Sequence, residues 1–114
     1  DGTARAIADV FATDGAVTSY VVSGQDADKA SIQYIIDGKQ SMTVFKDVRT
    51  LVKDAMGMAV AILDGKTPET TGSYPNGAID VKAKQTDVIV VEQSNVKQKL
   101  IDSGYYQASE FTGL

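Results

Sequence analysis

Three polar pairs stand where a small molecule could be met: Asp1-Gly2, Gln25-Asp26 and Lys46-Asp47. Each comes just before a stretch with helical periodicity. The second and third also follow stretches with strand character. In open α/β sheets, ligands bind in the crevice at the carboxyl ends of the strands, so these junctions are the places to look. The competing role is structural. Asp1, Asp26 and Asp47 are also good helix N-caps, and an Asp ahead of a helix caps more often than it binds.

Covalent and acid–base chemistry find little support. The chain has no Cys and no His, which removes disulfides, thiolate zinc sites, Cys/His nucleophile pairs and imidazole catalysis. Catalysis would fall to Asp, Glu or Lys with displaced pKa values, and no spacing marks such a pair. Asp26-Ala27-Asp28 pairs two carboxylates but lacks the Gly and Glu of a calcium loop. Neither G-x-G-x-x-G nor G-x-x-x-x-G-K-[ST] occurs, so no phosphate loop is present. No enzyme, metal site or cofactor is expected. Tyr105-Tyr106 could stack on a ligand, but such a pair beside a C-terminal helix more often packs back onto its own domain.

The elements that must position these residues follow from periodicity. Residues 3–13 read as a helix with Ile7, Val10 and Phe11 as its apolar stripe, ended by Asp14-Gly15 with Gly15 as a left-handed cap. Val17–Val22, rich in β-branched and aromatic residues, reads as a strand. Asp26–Ile36 reads as a helix closed by Asp37-Gly38, and Met42–Phe45 as a short strand. Asp47–Leu63 is the longest helix, with Val48, Leu51, Val52, Ala55, Met58, Ala59 and Ile62 on one face. Its Met56-Gly57-Met58 triplet predicts close packing against a neighbour. Lys66–Gly77 holds both prolines and reads as loop and turn. One or two strands follow in Ile79–Val91, with Val88–Val91 apolar throughout and hence expected to be buried. Val96–Ser103 is a short closing helix.

This order predicts an α/β fold with a mostly parallel sheet flanked by helices. At 114 residues the chain suits one compact domain, and 43% hydrophobic against 23% charged residues is ordinary globular usage. With 15 acidic and 11 scattered basic residues the net charge is -4, which argues against nucleic acid as a partner. No apolar run is long enough to span a membrane, so membrane insertion is not expected. The chain opens on Asp1 with a helix, where an α/β domain ordinarily opens with a strand. It therefore reads as a processed or excised piece.

Longer strings carry a resemblance. Val21-Val22-Ser23-Gly24-Gln25-Asp26-Ala27-Asp28-Lys29-Ala30-Ser31, Ile35-Ile36-Asp37-Gly38-Lys39-Gln40 and Thr43-Val44-Phe45-Lys46-Asp47 resemble the C-terminal part of periplasmic monosaccharide-binding proteins of ABC importers. The likeness is to the multiple-sugar and xylose-binding branch. The opening Asp1-Gly2-Thr3-Ala4-Arg5, the Tyr74-Pro75-Asn76-Gly77 turn and the ending Leu100-Ile101-Asp102-Ser103-Gly104-Tyr105-Tyr106 fit the same group.

The resemblance implies a partial type I periplasmic-binding-protein fold, whose two lobes close on a sugar. That hinge motion is known for the family and is not read from these residues. By the same match, residues 1–45 are a segment of the C-terminal lobe. Residues 46–84 hold a hinge crossing with a helix and strand of the N-terminal lobe, and 85–114 hold the return crossing and tail. Asp26 matches the family's sugar-binding Asp, and Lys46 the polar residue that ends the next strand. Asp1 is a weaker match beside a family Asn that would precede it. Chemistry agrees: a carboxylate accepts several hydroxyl hydrogen bonds and a Lys donates up to three, which suits a polyol.

The implied partners are a monosaccharide such as xylose, glucose, galactose or arabinose, and the permease subunits of the importer. The implied location is the periplasm or the extracellular surface, with a lipid anchor as one way of holding the parent protein there. A sheet without its neighbours exposes edges and apolar faces, so self-association of this piece is expected. Two alternatives stay open: the effector-binding part of a LacI-type repressor, and a structural module without ligand in which the aspartates only cap.

Overall fold

The computed structural model describes all 114 residues, Asp1–Leu114. In chain order the elements are α1 (Gly2–Thr13), β1 (Ser23–Gln25), α2 (Lys29–Ile36), β2 (Met42–Phe45), α3 (Val48–Leu63), β3 (Gly72–Pro75), β4 (Asp80–Ala83) and β5 (Ile89–Glu92). A π-helical turn at Lys97–Ile101 and a 3-10 turn at Ala108–Glu110 complete the chain. Two compact units result: Asp1–Phe45 together with Val88–Leu114, and Lys46–Asp87.

The first unit holds a three-stranded sheet in the order β1-β2-β5. β1 runs parallel to β2, with Gln25 opposite Val44. β5 runs antiparallel to β2, with Phe45 opposite Ile89. The mostly parallel sheet expected from the alternating elements is thus a mixed one. The cause lies in connectivity: the chain leaves the sheet at Phe45, comes back at Ile89 beside its own exit, and so must run backwards along β2.

The core of this unit is Ala27, Ile32, Ile35, Phe45, Val91, Val96, Leu100 and Phe111, with Tyr105 and Tyr106 packed against it. Phe45 meets Tyr105 edge-on at 4.6 Å. The tyrosine pair therefore packs home. On α1 the buried residues are Ala4 and Ala8, whereas Ile7 and Val10 are 41% and 61% exposed. The helix lies on its small side chains, which permit close approach, rather than on the expected Ile7–Val10–Phe11 stripe. Gly15 does not take the left-handed conformation expected of it; among the glycines that do are Gly38 and Gly65, the residues after Asp37 and Asp64.

Two further boundaries shift. Val17–Val22 forms no strand, and the ladder begins at Ser23. Val22 meets Ser41 just ahead of the ladder, its N–H donating to the Ser41 hydroxyl at 3.0 Å and its carbonyl accepting from the Ser41 N–H at 2.9 Å. Helix α2 starts at Lys29 rather than Asp26, because Asp26 and Ala27 have φ of 94° and 53°, which no right-handed helix contains. Of the Val88–Val91 run only Val91 is fully buried; Val88 and Val90 are 61% and 48% exposed. An edge strand covered on one face alternates in this way.

In the second unit, β3 and β4 form an antiparallel hairpin from Gly72 opposite Ala83 to Pro75 opposite Asp80. The stretch expected to be only loop thus contains a strand. Its turn is built by Asn76, whose side-chain oxygen accepts from the N–H groups of Ala78 and Ile79 at 3.0 Å each, with Gly77 at φ 89°. Pro75 is tolerated because a terminal strand position need not donate. No residue between Lys46 and Asp87 is buried. The apolar face of α3 is present as spaced, yet Val48, Leu51, Val52 and Ile62 stand open. Nothing lies within 4 Å of a side chain built on Gly57, so the close packing expected at that glycine is not made within this chain.

Candidate functional site

The carboxyl end of β1 is where the sequence and the structure concentrate polar groups. The Asp26 N–H continues the ladder by donating to the Val44 carbonyl at 2.8 Å. From there the backbone turns into the left-handed region for two consecutive non-glycine residues, Asp26 and Ala27. Such positions cost about 1–3 kcal/mol each and persist only where the surroundings enforce them.

The surroundings do enforce them. The Ala27 N–H donates to Thr43 Oγ1 at 3.3 Å, and the Tyr106 hydroxyl donates to the Ala27 carbonyl at 3.0 Å. The next N–H, of Asp28, donates to Asp1 Oδ2 at 2.7 Å. Asp1 Oδ1 accepts from Thr43 Oγ1 at 2.8 Å and from Gln40 Nε2 at 3.2 Å. The Asp1 amine donates to the Gln25 carbonyl at 3.2 Å. Arg5 then bridges Asp28 Oδ2 and Ser31 Oγ, at 3.2 and 2.7 Å. Thr43 and Gln40 are buried, and Gln40 Oε1 has no partner within the chain.

Gly24 is required by this arrangement. A Cβ there would sit 2.0 Å from Asp1 Oδ1 and 2.5 Å from Gln40 Nε2. Only a residue without a side chain lets β1 lie against the Asp1 carboxylate.

The three expected site residues therefore differ in their settings. Asp26 is exposed at the strand end, with Gln25 Nε2 3.4 Å from its Oδ1. The carboxylate of Asp1 is committed to Thr43, Gln40 and Asp28, and makes no side-chain cap on α1. The structure brings Asp1 and the Asp26–Asp28 loop together. Lys46 is half-buried, directly after β2 and at the start of the second unit. Of the candidate caps, only Asp47 serves: it accepts from the Arg49 N–H at 2.9 Å. The Arg49 guanidinium also chelates it, Nε to Oδ1 at 3.0 Å and Nη2 to Oδ2 at 2.7 Å, which holds the Asp47 carboxyl below its ordinary pKa.

Two shallow concavities lie among residues 46–87, one lined by Lys53, Asp54, Met58, Glu69 and Lys84, the other by the hairpin turn. Neither includes Asp26 or Lys46. In the first, Lys84 bridges Glu69 at 2.8 Å and Asp54 at 3.3 Å, and both carboxylates raise its ammonium pKa. No cluster of three acidic side chains is placed to hold a metal ion.

Sequence reasoning does not single out Thr43, Gln40 and Tyr106 as holders of the loop. The signal that could have found them is the Ser23-Gly24-Gln25 strand itself, since a glycine in a strand marks a close approach of something else.

The model of the periplasmic binding protein domain matches residues 1–67. The chain belongs to the periplasmic binding protein family. Among curated relatives, it is 38% identical to the multiple sugar-binding periplasmic receptor ChvE of Rhizobium radiobacter, over 79% of this chain and 26% of the receptor. It is 34% identical to the D-xylose-binding periplasmic protein of Escherichia coli, over 96% of this chain and 33% of that protein. A solved carbohydrate transporter solute binding protein from Chloroflexus aurantiacus, in complex with D-glucose, superposes with a TM-score of 0.96 at 65% identity. That match covers 100% of this chain and 34% of the other. The resemblance to sugar-binding receptors drawn from the three strings of sequence is the likeness these comparisons show. The chain spans only 26% to 33% of the length of these curated relatives.

Proposed function

We propose that the chain is one part of the solute-binding component of an ABC sugar importer. In it, the carboxyl end of β1 presents Asp26 to the hydroxyls of a monosaccharide such as glucose, xylose, galactose or arabinose. The observation that carries this reading is the loop itself: two left-handed non-glycine residues are fixed by side chains from three parts of the first unit, and the exposed Asp26 stands in them. Folds hold such strain where geometry matters to a ligand. The names of the relatives, several of them sugar-binding, support the ligand class.

In this reading Lys46 supplies donors to the same sugar. Asp1, assigned a ligand role by resemblance, acts instead through the loop it ties down. Residues 1–45 and 85–114 belong to one lobe, 46–84 to the other, and the loaded protein delivers sugar to permease subunits. It works in the periplasm or at the extracellular surface. On its own the 114-residue chain self-associates, a reading supported by the open apolar face of α3.

Calorimetric titration of the full-length binding protein with D-glucose and D-xylose tests the site. Asp26→Asn keeps a residue type that tolerates positive φ while removing the charge. Affinity is expected to fall about tenfold to a hundredfold, the loss of a charge-assisted hydrogen bond. An unaltered affinity would leave Asp26 without a ligand role.

A further inference from the structure

One of the holds on the left-handed pair comes from the far end of the sequence. Tyr106 Oη reaches the Ala27 carbonyl at 3.0 Å across 79 positions of chain. The hydroxyl has a firm mount. Its ring is half-buried, edge-on to Tyr105 at 4.9 Å and to Phe111 at 5.6 Å. Lys29 lies over the ring at 5.6 Å and pairs with Glu110. On the opposite side of Ala27, the Thr43 hydroxyl takes the N–H and the Ala27 methyl is fully buried. Ala has no polar side chain to stabilise the left-handed conformation locally, so these outside bonds must do it.

We propose that Tyr106 is a positioning residue for sugar recognition, fixing the Ala27 carbonyl so that the adjoining Asp26 carboxylate is presented in one orientation. The proposal rests on the reading of Asp26 as the residue that meets sugar. Without the hydroxyl the loop populates other conformers, and apparent affinity falls by the fraction that stays competent.

Tyr106→Phe removes the hydroxyl and keeps the ring. Full-length wild type, Tyr106→Phe, Asp26→Gly and the double variant are titrated with D-glucose. Amide exchange at Ala27 and Asp28 is followed without sugar. Tyr106→Phe is expected to weaken binding about fivefold to tenfold and to speed exchange about tenfold. In the Asp26→Gly background, where no side chain is left to position, it should change affinity less than about twofold, as coupled sites require. Unchanged affinity, unchanged exchange, or an equal loss in both backgrounds overturns the proposal. If Asp26→Gly binds too weakly to titrate, the exchange rates and the single-variant affinity decide. If Tyr106→Phe fails to fold, Thr43→Val removes the other bond to Ala27, and the same results in affinity and exchange support or overturn the proposal. Wild type that takes up neither D-glucose nor D-xylose defeats the sugar-binding reading itself, and wild-type affinity in Asp26→Gly defeats the assignment of its site.

Discussion

Asp1 Oδ1 accepts a hydrogen bond from Thr43 Oγ1 at 2.8 Å, tying the residue ahead of α1 to the middle of β2. Thr43 is fully buried, and the same hydroxyl accepts from the Ala27 N–H. One side-chain oxygen thus links a helix start, a strand and the strained loop. Buried networks of this kind are costly to break in part, since each orphaned group keeps its desolvation penalty.

Gly24→Ala tests that packing. The added methyl would fall on Asp1 Oδ1 and Gln40 Nε2, both closer than real contacts allow. We expect a loss of about 1–3 kcal/mol in urea unfolding, the usual cost of overpacking. Adding Asp1→Ala should relieve the clash only in part, because Gln40 remains. A neutral Gly24→Ala would mean that the close approach of β1 to Asp1 is not real.

Asp47 carries a pH-dependent share of the stability of α3. Its carboxyl pKa is lowered in the fold, first by the Arg49 side chain. The stabilisation is therefore present above the ordinary carboxylate range and lost as pH falls through the depressed folded value. Asp47→Ala should cost about 1 kcal/mol at neutral pH, the worth of an N-cap. In helix content followed by circular dichroism, the gap between wild type and variant should close in acid. A gap that stays constant to low pH would contradict the capping role.

Lys46→Met separates a ligand role from a surface lysine. Titration of the full-length protein with D-glucose should show a loss of about threefold to thirtyfold, the worth of a hydrogen bond from an ammonium to a neutral hydroxyl. Thermal unfolding without sugar should move little. Affinity within experimental error of wild type would return Lys46 to the surface.

The isolated 114-residue chain should not elute as a 12.1 kDa monomer in size-exclusion chromatography. Val48 and Val52 lie four residues apart on α3 and are 49% and 59% exposed. Replacing both with Lys should shift the chain toward monomer by placing charge on the apolar face. A clean monomer from the unmodified chain would refute self-association.

What could be read from the sequence follows where each signal is local. Helix α3 is legible because the apolar spacing of Val48–Leu63 is complete in itself, and strand β2 because Met42–Phe45 is a short run of β-prone residues. The endings at Asp37-Gly38 and Asp64-Gly65 are legible for the same reason, as glycine there serves a positive φ. The start of α2 is not, because Asp26 and Ala27 are held left-handed by Thr43 and Tyr106, and no rule of propensity anticipates partners 16 and 79 positions away. Asp1 shows the same limit. As a residue type ahead of a helix it reads as a cap or a ligand group, and only the fold reveals a carboxylate spent on β2 and the loop. Asp26 keeps its position at a strand's end even though the strand before it begins six residues later than expected.

The pairing of Phe45 with Ile89 has a consequence for how the chain is put together. Everything from Lys46 to Asp87 runs between the two partners of that one rung, so it is topologically a guest in the first unit. A tight turn could join those partners with little loss of chain entropy. The shortened polypeptide would retain every residue of the Ile32–Phe45–Leu100 nucleus and the whole of the Asp26 loop, a minimal host from which the guest has been deleted.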